Sequence, residues 1–174
     1  MPEPSSSIEI FKLTLAEFAT DFGPWLAPGA IFVSAIIAAI VAVTAILQQR
    51  AIARKRAMID ALLKKNWDPR YIELRREFVR LRDDRGALLE AAKVENQAGA
   101  DASAIRSILN DYEITALGIK RGILDETIFR LWVKTVFLND CDKLRPFIAE
   151  IRLRSPRVYV ELEELAEKWV KQQA

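Results

Sequence analysis

AIFVSAIIAAIVAVTAIL, residues 30–47, is the stretch on which the fold turns. These eighteen residues carry no charge. As a helix rising roughly 1.5 Å per residue they span about 27 Å, close to the roughly 30 Å hydrocarbon core of a bilayer. Pro24, Trp25, Leu26 and Gly29 extend the run backwards, and Trp25 suits an anchor at the membrane interface. The run has no polar face, and polarity changes abruptly at Gln48, so a buried core helix fits it poorly. A cleavable signal peptide also fits poorly. The run lacks a basic start, lies 29 residues in, and is followed by Arg50 instead of a small-residue cleavage site. The composition therefore predicts one transmembrane helix over residues 30–47.

Working outward, charge sets the expected orientation. Residues 1–29 hold one cation, Lys12, against Glu3, Glu9, Glu17 and Asp21. Beyond the run come Arg50, Arg54, Lys55, Arg56, Lys64 and Lys65. The positive-inside rule places that basic side in the cytoplasm and the 1–29 tail outside. In the tail, Ile8, Phe11, Leu15, Phe18 and Phe22 share a helical face, and Thr14 with Glu17 has capping-box spacing. An amphipathic helix on the membrane surface is one reading of this tail, a disordered tail the other. The lipid bilayer is the first expected partner, and the basic cluster suits anionic head groups. Rows of small residues, Ala30, Ser34, Ala38 and Ala42 with Ala35 and Ala39, have the spacing of a helix-pairing face and point to a homo-oligomer through the span.

Residues 48–66 read as a basic juxtamembrane helix, and 67–174 as a cytoplasmic α-helical domain. Asp68 with Pro69 is a helix restart. Tyr71, Leu74, Phe78, Leu81, Leu88 and Ala92 form one stripe, flanked by a charged face that reads as solvated. Residues 96–101 read as a loop. A helix over residues 102–120 turns Ile105, Leu109, Tyr112, Ala116 and Ile119 inward and stops at Gly122. Asp125 caps the next helix, whose expected apolar face is Ile128, Leu131, Trp132 and Val136. Pro146 either kinks that helix or opens a new one, and Ser155 with Pro156 reads as another cap. Val158, Leu162, Leu165 and Trp169 make the last stripe, with Glu164 and Lys168 at i,i+4 spacing. No segment alternates like a strand. The fold class is all-α: one transmembrane helix, then a small helical bundle.

The composition is poor in catalytic parts. There is no His, which removes the commonest general base and zinc ligand. Cys141 has no disulfide partner and no His to activate it. The six glycines form no phosphate-binding motif. Residues 57–174 keep only +1 once the −3 of residues 1–29 and the +4 of residues 30–56 are taken from +2. That balance argues against nucleic acid. Carboxylates are the remaining candidates. Glu113, beside the inward Tyr112, could act as acid or base if buried and brought near Asp125 or Asp142. Asp140 and Asp142 lack the spacing of a metal loop. The expected sets of catalytic, cofactor-binding and metal-binding residues are thus all empty, no cofactor is expected, and the protein is read as a non-enzyme. An unidentified protein partner is expected in its place, with an oligomeric effector that permeabilises the bilayer as the alternative.

Ile108-Leu109-Asn110-Asp111-Tyr112-Glu113 with Ala116-Leu117-Gly118-Ile119, then Gly122-Ile123-Leu124-Asp125-Glu126, resemble a bacterial family catalogued as domain of unknown function 4760. Leu144-Arg145-Pro146-Phe147-Ile148 with Arg152, and residues 161–169, fit the same pattern. The resemblance covers roughly residues 30–170 and implies a bacterial, membrane-anchored, helical protein. With the charge asymmetry, it leads to an expected place in the bacterial inner membrane. It brings no activity and no catalytic residues.

Overall fold

The computed structural model describes the backbone of residues 4–172 and the side chains of residues 28–172. Among these there are six α-helices and no strand: α1 (Pro4–Trp67), α2 (Pro69–Asp83), α3 (Arg85–Ala92), α4 (Ala100–Lys120), α5 (Glu126–Arg152) and α6 (Val160–Lys171). A 3-10 turn, Val94–Asn96, links α3 to α4. The chain divides into two compact units, Met1–Arg50 and Ala51–Ala174.

In the first unit the side chains of residues 28–50 are all exposed. The helix segment Pro28–Trp67 is long and apolar enough to cross a membrane. The tail positions Ile8, Phe11, Leu15, Phe18 and Phe22 lie outside the described side chains. Their backbone belongs to α1, which starts at Pro4, so Thr14 does not mark a helix start.

The second unit is a helical bundle. The end of α1 belongs to it through Met58 and Leu62, which are buried in the core. The helix breaks where a one-residue hinge allows a restart: the Asp68 carboxylate accepts from the Arg70 amide at 2.9 Å, and Pro69 opens α2. The stripe from Tyr71 to Ala92 is not one helix. Asp84 ends α2 and caps α3 by accepting from the Gly86 and Ala87 amides. Phe78, Leu81, Leu88 and Ala92 still reach the core, because the break preserves their facing.

The end of α4 is a Schellman turn. Gly122 sits at φ 66 and donates to the Ile119 carbonyl, while Ile123 and Leu124 donate to that of Gly118. Leu124 folds back so closely that a Cβ on Gly118 would lie 2.7 Å from its Cδ1. Asp125 then caps α5 through the Ile128 amide at 3.0 Å.

Three expectations need correction. The buried face of α5 is Phe129, Phe137, Cys141, Leu144, Phe147 and Ile148, whereas Leu131 is 83% and Trp132 61% exposed. Both rows have helical spacing, and the phenylalanine row wins by packing edge-on against Tyr112 and Trp169, with ring centroids of 5.1 and 5.3 Å from Phe137. Pro146 lies inside an unbroken α5; the N–H it lacks would have met the carbonyl of Asp142, an exposed residue. Ser155 and Pro156 do not cap α6. Residues 156–159 form turns, and α6 starts after Tyr159 in a left-handed conformation, φ 58. Arg152 holds that turn by donating twice to the Val158 carbonyl, at 2.8 and 3.0 Å.

Candidate functional site

Glu113 reaches neither Asp125 nor Asp142 as a partner. Its Oε1 and Oε2 accept from the backbone amides of Glu161 and Leu162, at 3.2 and 2.8 Å. The first turn of α6 has no cap from its own N-cap residue, Tyr159. Glu113 supplies that cap from α4, forty-eight residues away in sequence, and places its charge at the positive end of the helix dipole. Its role is architectural.

The buried carboxylate is Asp140, at 0% exposure. Desolvating a carboxylate is costly unless its charge is paired and its oxygens are bonded. Both conditions are met. Oδ1 accepts from Arg82 Nη1 at 2.5 Å; Oδ2 accepts from Arg75 Nη2 at 2.5 Å and from the Tyr112 hydroxyl at 2.7 Å. Arg75 also donates to the Tyr112 oxygen at 3.0 Å and lies over the Phe78 ring, 4.8 Å from its centroid. Burial, then the Asp140 charge, pushes the Tyr112 hydroxyl well above its ordinary range. Arg75 stays protonated: burial opposes its charge, but Tyr112 and Asp140 more than compensate. With both oxygens engaged, Asp140 clamps α2, α4 and α5 together.

Beside this clamp lies a cleft of about 230 Å³ bordered by Lys65, Tyr71, Arg75, Asp111, Trp132 and Val136. Lys65 Nζ meets Asp111 Oδ1 at 2.5 Å, and the Tyr71 hydroxyl donates to Asp111 Oδ2 at 3.1 Å. Burial and then Asp111 raise the Tyr71 hydroxyl as well. A second groove of about 380 Å³ shares Lys65, Tyr71 and Arg75 and continues over Ile72 and Val79. Lys65 and Arg75, each paired with a carboxylate, edge both openings, beside the apolar side chains of Ile72 and Val79 in one and of Trp132 and Val136 in the other.

The other candidates separate. Asp142 is exposed and 3.4 Å from Arg145, so it shares no ligand with Asp140. Among the described residues no group of three or more His, Cys, Asp or Glu could hold a metal ion. Burial, followed by the Asp140 charge, pushes the Cys141 thiol up to about 12, which keeps it protonated at neutral pH. Glu164 and Lys168 do not pair with each other. Lys120 takes Glu164 at 2.7 Å, and Lys168 takes Glu126 at 2.6 Å.

The model of the family described as "Domain of unknown function (DUF4760)" matches residues 32–169. The chain belongs to this family. The DUF4760 match begins inside the apolar run and ends at the last core tryptophan, so it takes in the apolar helix and the bundle alike. No curated protein and no solved structure matches the chain.

Sequence reasoning missed Arg75 and Arg82, which it assigned to a solvated face. The signal was available in their positions. Each follows a stripe residue, Leu74 or Leu81, and they stand seven apart, so one side of the buried face carries two cations in line.

Proposed function

We propose that this DUF4760 protein is a single-pass protein of the bacterial inner membrane, with its N-terminus outside and its helical domain in the cytoplasm. Its helical domain works as a protein-interaction or regulatory module. The observation that carries this reading is the opening beside the Asp140 clamp. Trp132, 61% exposed, and Val136, 48% exposed, stand there on an α5 whose other side is packed. A large aromatic beside cationic edges is the composition of an interface anchor. The charge asymmetry around the apolar run supports the orientation.

Crosslinking and pull-down from native membranes tests the reading. A stoichiometric protein partner recovered by the native chain, and lost with Trp132→Ala, is the expected result. Recovery of only the chain itself favours the second reading, an oligomeric effector that permeabilises the bilayer. The exposed small residues Ala30, Ser34, Ala38 and Ala42 support that alternative. Dye release from vesicles carrying the purified chain distinguishes it.

A further inference from the structure

The last part of α1 and α4 run side by side in opposite directions. Lys65 meets Asp111, and a Cβ on Gly122 would lie 3.9 Å from Arg54 Nη1. As α1 advances from 54 to 65, its neighbour runs back from 122 to 111. The turn between α4 and α5, residues 121–125, therefore stands at the end of the bundle where α1 enters it. Arg54 is seven positions after Leu47, the last residue of the apolar run, so even at full extension the chain ties Arg54 to within about 25 Å of that run.

Leu124 folds back onto Gly118, but Ile123 at the tip of the turn is 63% exposed. The carboxylates at this end are engaged. Asp125 accepts from the Ile128 amide, and Glu126 meets Lys168 at 2.6 Å and accepts from Trp169 at 2.9 Å. Glu161 and Glu164 both meet Lys120 at 2.7 Å. Arg54 and Arg121 are exposed and, among the described residues, join no ion pair. The turn thus presents an aliphatic tip beside two uncommitted guanidinium groups.

We infer that the α4–α5 turn docks on the membrane surface, with Ile123 in the interfacial layer and Arg54 and Arg121 on the phosphates of anionic lipids. The inference rests on the membrane-anchored reading above, which brings the bilayer to this end of the bundle. A guanidinium suits a phosphate because its planar fork donates two parallel hydrogen bonds. The aliphatic tip gains by leaving water, and each basic residue near an anionic surface strengthens the contact roughly fivefold. The tether makes docking an intramolecular step, so weak contacts suffice. A protein partner fits this turn less well. A stable protein interface buries roughly 800 Å² on each side, and residues 121–125 expose one large apolar side chain.

Fluorescence quenching tests this on the full chain reconstituted into vesicles of phosphatidylcholine, with or without phosphatidylglycerol. A nitrobenzoxadiazole label sits at Ile123→Cys or at Leu153→Cys, which is 77% exposed just past the other end of α5. The unsubstituted chain, whose Cys141 is buried, gives the background labelling. A lipid spin-labelled near its headgroup is expected to quench the label at 123 and spare the label at 153, most strongly with phosphatidylglycerol present. Arg54→Gln with Arg121→Gln removes two cations and is expected to lower the ratio of docked to free turn roughly twenty-fivefold. Quenching that is absent at 123, equal at the two positions, or indifferent to both phosphatidylglycerol and the double substitution overturns the inference. Carbonate extraction of the same vesicles separates the two levels. A chain that stays with the lipid but shows no quenching at 123 overturns the docked turn alone. A chain released into the soluble fraction overturns the anchored reading beneath it.

Discussion

Asp140 is the residue on which the bundle's polar interior depends. Removing one member of a buried ion pair leaves the other uncompensated, which costs about 3–5 kcal/mol. Asp140→Ala strands Arg75, while Arg82 keeps Asp83 at 2.9 Å, and the change is expected to lower stability by about that amount, measured by urea unfolding of the detergent-solubilised chain with tryptophan fluorescence as readout. Tyr112 makes a prediction of pH dependence. Its folded hydroxyl is held above the ordinary 10.0, first by burial and then by Asp140. The unfolded tyrosine therefore loses its proton first. The stabilisation is whole below the ordinary value and is lost as pH rises through it towards the folded value. Tyr71 is raised in the same direction. Tyr71→Phe with Tyr112→Phe should destabilise the protein at neutral pH but flatten the fall in unfolding midpoint at alkaline pH.

At the scale of elements, two helix ends hold the bundle's connections. The α4 turn needs a left-handed residue, and Gly122 provides it without a Cβ. Gly122→Ala should cost about 1–2 kcal/mol, read as a lowered thermal midpoint. The start of α6 is capped from another helix, so its order depends on tertiary contact. Glu113→Ala should cost about 1 kcal/mol and speed amide exchange at Glu161 and Leu162 before the rest of α6. The caps at Asp68 and Asp125 were legible in the sequence because they act within their own turn. The cap on α6 was not, because its donor helix and acceptor carboxylate meet only after folding.

For the whole molecule, topology is the decisive measurement. A cysteine placed at Ser5 should react with a membrane-impermeant thiol reagent on intact spheroplasts, since the positive-inside rule puts the tail outside. Labelling only after the membrane is broken would reverse the orientation, with the helical domain then facing outward. The bundle itself spends its polar residues on joining helices. Lys65 with Asp111 ties the end of α1 to α4, and Asp140 ties α5 to α2.

Local chemistry determined the helical class, the apolar run, the charge asymmetry and the helix starts at Asp68 and Asp125, because each depends on neighbours within a few residues. Tertiary structure decided which of two equally spaced faces of α5 is buried. It also set Arg75 and Arg82 on Asp140 and gave Glu113 the task of capping α6. Helical periodicity names the faces available to a segment, but the energy of burial is settled only by what another helix offers in return. A carboxylate at position 113 or 140 has no assigned role until the amides or guanidinium groups that will meet it have been brought there by the fold.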